Sequence, residues 1–441
     1  MKSRHERWIT RRNVLKGAAK AAGAAVAFPY IVPSSALGLD GAVAPSNRIT
    51  VGCIGTGGMG TYDMTRMFEV ADVQVVAVCD PKQPKREAAR ARANEFYKKD
   101  VCAAYNDFRE LVVRKDIDVV QVATVDQWHV PCALAAVRSG KDVYVEKPLG
   151  MSLQEIKMLR EACHRYGRIF QFGTQQRSMP QFRQACELAI NGRLGKLHTI
   201  KVSAPSGHAE RTGDVTYVPA PVPAGFDYDM WLGPAPWAPY TPKRTESPHW
   251  FHISDYSLGY IAGWGIHHVD IAQWGNGTEL TGPIEVEGSG VFPSKDSLCD
   301  NPLNWDAKLK YASGVVMHFT SDGGPNQHGI RFEGTRGWVH VDRGQIIAEP
   351  RSLLDEKIGP DETRLPVSLH QQRNLIECVK TRGRTVSNID VAVRSDAICH
   401  LTWLAVHLGR KLRWNPDKEE FVNDPEANAR MVRVMRAPWH L

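Results

Sequence analysis

The chain reads as an α/β protein in two halves, a doubly wound parallel sheet followed by a larger α/β half built on a mostly antiparallel sheet. Three observations predict this. From Asn47 to about residue 165, short apolar strands alternate with helical stretches, the pattern of a parallel sheet covered on both faces. Beyond residue 165 longer strands alternate apolar and polar positions, which suits antiparallel pairing. A length of 441 residues also exceeds what one hydrophobic core ordinarily organises.

Residues 1–44 stand apart from both halves. "TRRNVLKGAAKAAGAAVAF" places the pair Arg11-Arg12 before a weakly apolar, alanine-rich run. It resembles the bacterial twin-arginine (Tat) export signal, with Val14 where phenylalanine is usual. The resemblance implies the Tat export machinery as a partner and a periplasmic or otherwise exported protein. The apolar run, interrupted by Lys20, is too short for a permanent membrane anchor. Cleavage is expected between Ala36 and Ala44. The leader also explains the charge. Of the formal +7, residues 1–36 carry seven basic residues against Glu6. The remainder is close to neutral, so no nucleic-acid footprint is left. Nine cysteines show no metal spacing and an odd count, so they read as structural thiols with no metal site.

In the first half the strands are "RITVGCIG", "DVQVVAVCD", "VVQVAT" and "KDVYVEKP". "PKREAARARANEF" and "VPCALAAVRSG" are the helices between them. In the second half "KLHTIKVSAP", "IEVEGSGVFP", "DAKLKYASGVVMHFT", "HGIRFEG" and "GWVHVDRGQIIAEP" read as strands. A Pro- and Trp-rich region, 205–250, is too long for a mere connection and is expected to be functional. Residues 370–441 carry helical patterning and then a polar tail.

The first strand runs into "GTGGMG", which places Gly55, Gly57 and Gly60 in the spacing G-x-G-x-x-G at the start of a helix. Gly55 permits a tight turn, Gly57 close approach to a pyrophosphate, and Gly60 close helix–strand packing. Thr56, Gly58 and Met59 complete the turn. The anion would rest on the helix N-terminus. Asp80, twenty residues after Gly60 and at the end of the next strand, is placed to accept from the adenosine ribose hydroxyls. This is the fingerprint of a Rossmann domain. Asp80 favours NAD, and Lys82 and Arg86 leave NADP possible.

"TVDQWHVPCALAAVRSGKDVYVEKPLG" makes the reading specific. It resembles the Gfo/Idh/MocA oxidoreductases, whose hallmark is Glu-Lys-Pro, here Glu146-Lys147-Pro148. "ATVDQWH" matches the segment lining the nicotinamide side, with Thr124 and His129. "FGTQQRS", containing Gln175, "DYDMWLGPAPWAPYTPKR", "HHVDIAQWG" and the ending "LGRKLRWNPDKEEF" are similar to exported members. The resemblance implies a Rossmann domain over 47–165. It also implies a substrate and oligomerisation domain over 166–441, with C-terminal helices packing back and a large open sheet used in homo-oligomers. Lys147 is then expected beside both hydride and hydroxyl, stabilising an alkoxide or relaying its proton. The family's second motif, Asp-x-x-x-His-x-x-Asp, aligns His267 as general base with Asp270 orienting the helix, but puts Gly263 where the acid belongs. His268, about 100° away around the helix, is expected to make a structural bond or touch substrate. Three meanings of Gly263 stand open. Lys147 and His267 suffice alone, or Asp255 replaces the acid, or the glycine weakens turnover and makes room for a bulkier substrate.

Trp231, Trp237, Trp250 and Trp264 crowd this region together with Arg244, His249 and His252. Aromatic faces beside polar donors suit carbohydrate, and Arg244, Trp264 and His268 are the expected substrate contacts. The sequence therefore predicts an exported NAD(P)-dependent oxidoreductase acting on a sugar, sugar acid, cyclitol or glycoside, its cofactor tightly held. A redox-neutral glycoside hydrolase or lyase working through a transient keto-sugar is the second reading. The intact Glu-Lys-Pro weighs against it, because the NAD-dependent glycosidase relatives depart there. A non-catalytic, nucleotide-dependent sugar-binding protein is the third.

Overall fold

Six short apolar strands make the first sheet of the computed structural model, which describes residues 47–207, 209–322 and 324–441. The twin-arginine leader and its cleavage point lie outside the described residues. In chain order the strands are β1 (Ile49–Ile54), β2 (Val73–Cys79), β3 (Ala103–Tyr105), β4 (Val119–Val122), β5 (Asp142–Val145) and β6 (Phe170–Phe172). All pair in parallel in the order β3-β2-β1-β4-β5-β6. β4 and β5 are buried at every position because helices cover both faces, which is why they read as mostly apolar runs interrupted only by Gln121 and Asp142. The order reverses beside β1, and that switch point opens a crevice at the carboxyl ends of the strands.

The helices are α1 (Gly58–Phe68), α2 (Gln83–Tyr97), α3 (His129–Arg138) and α4 (Leu153–Tyr166). α4 shows how sequence sets an element's ends. The Ser152 hydroxyl accepts from the Glu155 N–H at the start, and Gly167 takes a left-handed conformation at the end, as a capping box and C-terminal glycine require. The first half runs past the expected boundary at 165, since β6 pairs with β5. β3 and β6 escaped sequence reading because three residues cannot display a period.

The second sheet has nine strands. They are β7 (Leu197–Ala204), β8 (Glu285–Val291), β9 (Asn304–Lys310), β10 (Val316–Ser321), β11 (Gly329–Gly334), β12 (Gly337–Val341), β13 (Ile346–Glu349), β14 (Leu412–Asn415) and β15 (Glu420–Phe421). Their order is β13-β12-β11-β7-β10-β9-β8-β14-β15. The pairing is antiparallel except between β7 and β10 at the centre. Two expected single strands are hairpins. "DAKLKYASGVVMHFT" reverses at Gly314, whose φ is +90°. "GWVHVDRGQIIAEP" reverses at Asp342–Gln345, where the Asp342 N–H donates to the Gln345 carbonyl at 3.0 Å. β9 alternates buried and exposed residues, so one face of this sheet meets the core.

That core face is filled by α5 (Pro180–Ile190), α6 (Ile266–Gly275) and α8 (Ile389–Leu408), while α7 (Gln371–Thr381) returns to the nucleotide half. Every residue of α6 is buried. The helix is therefore enclosed on all sides, and its buried polar side chains His268, Asp270 and Gln273 are met by hydrogen bonds or an ion pair within the protein. All nine cysteines are buried and unpaired. No helix among the described residues is long and apolar enough to cross a membrane.

Candidate active site

The crevice at the switch point is a cavity of about 800 Å³, within the range of about 300–1,000 Å³ that suits a cofactor or ligand. Gly55, Gly57, Gly58, Met59, Asp80, Thr124, His129, Glu146 and Lys147 all line it. Gly55 turns the chain at φ +87°, and an added Cβ would lie 2.4 Å from the Ala123 carbonyl oxygen. Over Gly57 the space is open, with only Lys85 Nζ within 4 Å, at 3.9 Å. Backbone there is free for a pyrophosphate at the α1 N-terminus. The Asp80 carboxylate accepts from Thr56 N at 2.9 Å and Lys82 N at 2.9 Å, which aims it into the cavity. Arg86 donates to the Asp80 carbonyl at 3.0 Å and to Asn106, and Lys82 Nζ to the Thr245 carbonyl at 3.4 Å. Both cations are held by protein oxygens. These residues fit a dinucleotide whose ribose hydroxyls meet Asp80.

Residues 223–251 cross over this cleft. Gln83 N donates to the Gly225 carbonyl at 2.7 Å and Asp227 N to the Pro81 carbonyl at 3.0 Å. Asn106 holds Asp227 at 2.7 Å. Trp231, Glu246, Trp250 and Phe251 line the cavity from this side, and Trp250 stacks on Phe251 at 3.6 Å. The long Pro- and Trp-rich region is a strap over the nucleotide crevice.

At the other end Glu146 is fully buried and takes hydrogen bonds from Tyr144 at 3.1 Å, Gln175 at 2.9 Å and the Lys147 N–H at 3.2 Å. Asp63 of α1 lies against it. Burial first, then the Glu146 carboxylate, holds Asp63 well above the usual carboxylate range. Burial likewise raises Glu146. Asp126 also lines the cavity, and burial pushes its carboxyl up to about 7. Neither Asp63 nor Asp126 was singled out from sequence, because nothing local distinguishes an enclosed aspartate from an exposed one. His129 is enclosed between the Pro148 carbonyl at 2.5 Å and the Thr124 carbonyl at 3.3 Å, and burial lowers its imidazole to about 4.

Lys147 Nζ donates to the main-chain carbonyl of Gly263 at 2.8 Å. The reason lies in the helix. Sequence alignment expected positions 263 and 267 on one helical face, but the helix breaks between them, and short helix Gly259–Gly263 is followed by α6 from Ile266. His267 N therefore bonds the Trp264 carbonyl at 3.1 Å, instead of the position-263 carbonyl that a continuous helix would use. The freed oxygen receives Lys147. A backbone carbonyl, at the position where the motif leads us to expect an acid, thus receives the lysine.

His267 is buried, and neither ring nitrogen has a hydrogen-bond partner among the described residues. Burial, then the Lys147 and Arg343 charges, hold its imidazole well below the ordinary value, so it is neutral at physiological pH. His268 points to the sheet. Its Nδ1 donates to the Ser203 carbonyl at 2.7 Å and the ring packs on Trp264 and His328. Full enclosure removes it from substrate contact, correcting the expectation that it binds substrate. Asp270 forms a buried ion pair with Arg177 at 2.6 Å and accepts from Ser395 at 2.8 Å, which locks α6 in place.

The expected sugar-contacting groups do not converge. Arg244, within the strap itself, is buried and donates to the Tyr256 hydroxyl at 3.2 Å. Trp237 is 68% exposed. Trp231 packs on Tyr228 and Tyr256. Trp264 does lie beside His267, ring centres 5.7 Å apart. Asp255 lines a separate cleft with His400 and Arg433, so it does not replace the missing acid. Arg343, over the Trp264 ring at 5.1 Å, was not anticipated, because its position depends on a hairpin the sequence did not disclose. No cluster of three metal-ligating side chains occurs among the described residues.

Residues 49–174 match the oxidoreductase family's NAD-binding Rossmann fold, and residues 181–441 its C-terminal alpha/beta domain. Over 141 residues the chain is 34% identical to an alpha-N-acetylgalactosaminidase of Shewanella oneidensis, covering 30% of each chain. Over 150 residues it is 30% identical to an inositol 2-dehydrogenase of Salmonella typhimurium, covering 34% of this chain and 43% of that one. The chain thus spans less than half the length of these curated relatives. An aldose-aldose oxidoreductase structure from Caulobacter crescentus superposes with a TM-score of 0.62 at 19% identity, over 83% of this chain and 99% of that one. A scyllo-inositol dehydrogenase from Lactobacillus casei gives 0.56 at 14% identity, over 83% and 99%. At such identities the likeness concerns the fold. Matched through both halves, the chain belongs to the Gfo/Idh/MocA oxidoreductase family.

Proposed function

We propose that the protein is an NAD-dependent oxidoreductase moving hydride between nicotinamide and a hydroxyl-bearing carbon of a sugar, cyclitol or glycoside. The observation that carries this reading is the 2.8 Å bond from Lys147 to Gly263, which joins the cofactor cleft to the start of the helix bearing His267. Bound NAD supplies the hydride acceptor. Lys147 has no carboxylate partner among the described residues and is free to stabilise the oxygen as its negative charge develops. His267, neutral and unengaged, takes the hydroxyl proton and returns it in the reverse direction. The C–H bond loses hydride, the O–H bond its proton, and a carbonyl remains. Asp80 favours NAD over NADP. The strap over residues 81–83 supports a tightly held cofactor, which suits an enzyme exported by the twin-arginine route.

A second reading, redox-neutral glycoside cleavage through a transient ketone, is favoured by the relative named as a galactosaminidase. One experiment separates the readings. NAD-loaded protein is incubated with sugars, sugar acids, cyclitols and aryl glycosides, following reduced nicotinamide and released aglycone together. Net reduced nicotinamide supports oxidation, and aglycone without it supports cleavage. Sugar binding with neither product refutes catalysis.

A further inference from the structure

We propose that the segment Met431–Trp439 is a latch that sets how long the cofactor stays bound, with Arg436 as its principal positioning residue. The inference rests on the NAD-dependent reading and goes beyond it, giving a role to a part of the chain that takes no part in the chemistry. Gln154 N donates to the Met431 carbonyl at 3.0 Å, which fixes the start of the segment on α4. Beyond that point Arg433, Arg436 and Trp439, three residues apart, each make a contact. Arg433 pairs with the buried Glu155 of α4 and donates to the Gln127 carbonyl at 2.9 Å. Arg436 holds the strap. Its N–H donates to the Pro234 carbonyl at 2.9 Å, Nε to the Gly233 carbonyl at 3.0 Å and Nη2 to the Asp229 carbonyl at 3.1 Å. Nη1 pairs with the Asp229 carboxylate at 2.6 Å. Trp439 meets Trp128 edge to face, ring centres 4.7 Å apart.

Trp128 connects these contacts to the cofactor. It lines the cavity, and its Nε1 donates to the Met230 carbonyl at 2.9 Å and the Trp231 carbonyl at 3.2 Å. Gln127 Nε2 also donates to the Trp231 carbonyl, at 3.2 Å. Gly233 lies so close to the indole that an added Cβ would fall 2.1 Å from Trp128 Cζ2. Strap residues 229–234 are therefore gripped both by Gln127 and Trp128 and by Arg436. Met230 and Trp231 line the cavity themselves, so lifting them off a bound dinucleotide breaks both sets of bonds. The Asp229 side chain is 70% exposed, and an exposed ion pair holds little. The three bonds from Arg436 to strap carbonyls are the grip. Covering loops commonly govern release of what they enclose, and a loosened contact shows chiefly in the dissociation rate.

The test loads the full chain with NADH, mixes it with excess NAD in a stopped-flow instrument, and follows the loss of bound-nicotinamide fluorescence. Wild type, Arg436→Gln, Arg436→Lys, Asp229→Asn and the control Val434→Ser are compared, with urea stability measured in parallel. Val434 is in the same segment but 92% exposed. Release is expected to be about tenfold faster or more in Arg436→Gln, the scale of a hydrogen bond from a charged group. Arg436→Lys should fall between that variant and wild type, because an ammonium cannot reproduce the planar fork. Asp229→Asn should accelerate release by about fivefold or less, and Val434→Ser not at all. Should the glutamine variant not fold, Arg436→Lys carries the comparison alone. A merely structural segment would lose urea stability with release unchanged, and that result overturns the proposal. Equal acceleration by Val434→Ser also overturns it, since any disturbance of the segment would then suffice. Wild type that binds no NADH sinks the latch and the NAD-dependent reading together, whereas binding with unchanged release in the Arg436 variants sinks the latch alone.

Discussion

Gly263→Asp places a carboxylate where the sequence motif leads one to expect an acid, and the structure says what it should do. The backbone there is helical, and an added Cβ would meet Phe251 at 3.5 and 3.8 Å, ordinary contact distances, so the side chain fits. The helix breaks between residues 263 and 267, so the one-turn spacing of about 6 Å serves only as the order of magnitude for their separation. At an effective dielectric near 20, a unit charge at that distance is worth about 3 kcal/mol, or roughly two pKa units. In the native protein burial and two cations hold the His267 imidazole well below its ordinary value. A base works when neutral, so kcat/KM rises with pH through that pKa, and the native acid limb lies far on the acid side. The aspartate favours the imidazolium, moving the limb upward by about one to two units and lowering activity in mildly acidic buffer. The assay is kcat/KM against pH for any oxidised sugar, with circular dichroism as a folding control. A limb that stays in place in a folded variant would refute the assignment of His267 as the titrating base.

Two further outcomes are expected. Gly57→Ala points a methyl into open space, so it should weaken NAD binding by about tenfold or more while leaving urea stability within about 1 kcal/mol; unchanged NAD affinity by calorimetry would move the pyrophosphate elsewhere. Asp63→Asn should stabilise the fold by roughly 1–2 kcal/mol at neutral pH and much less at about pH 4. The Asp63 carboxyl is raised in the folded state. The native chain therefore holds a proton that the unfolded chain releases, and stability falls as pH rises between the two pKa values. An equal gain in urea titrations at both pH values would show that the Asp63–Glu146 pair is not its source.

Local chemistry was legible in the sequence. The glycine turn, Asp80 and Glu146-Lys147-Pro148 are contiguous or evenly spaced, and each sits at the end of an apolar strand whose direction the chain announces. What depended on distant parts of the chain was not. Asp255 and Asp126 are both aspartates near aromatic residues, and only packing put Asp126 against the cofactor cleft and Asp255 in another. The four tryptophans looked like one carbohydrate platform, yet the fold scattered them among the strap, the surface and the break between two helices.

The order of apolar strands and helices, with glycines where backbone must approach phosphate, determined by itself that this chain would form a nucleotide-binding α/β half and an antiparallel partner. Periodicity and backbone sterics act within a few residues and need no knowledge of the rest. Tertiary structure alone decided the chemistry around Gly263. A break at Trp264–Gly265 frees one carbonyl, a strand end more than a hundred residues earlier delivers Lys147 to it, and a hairpin eighty residues later brings Arg343 over Trp264. Charges and hydrogen bonds act across space, and the neighbours they join are chosen by the fold.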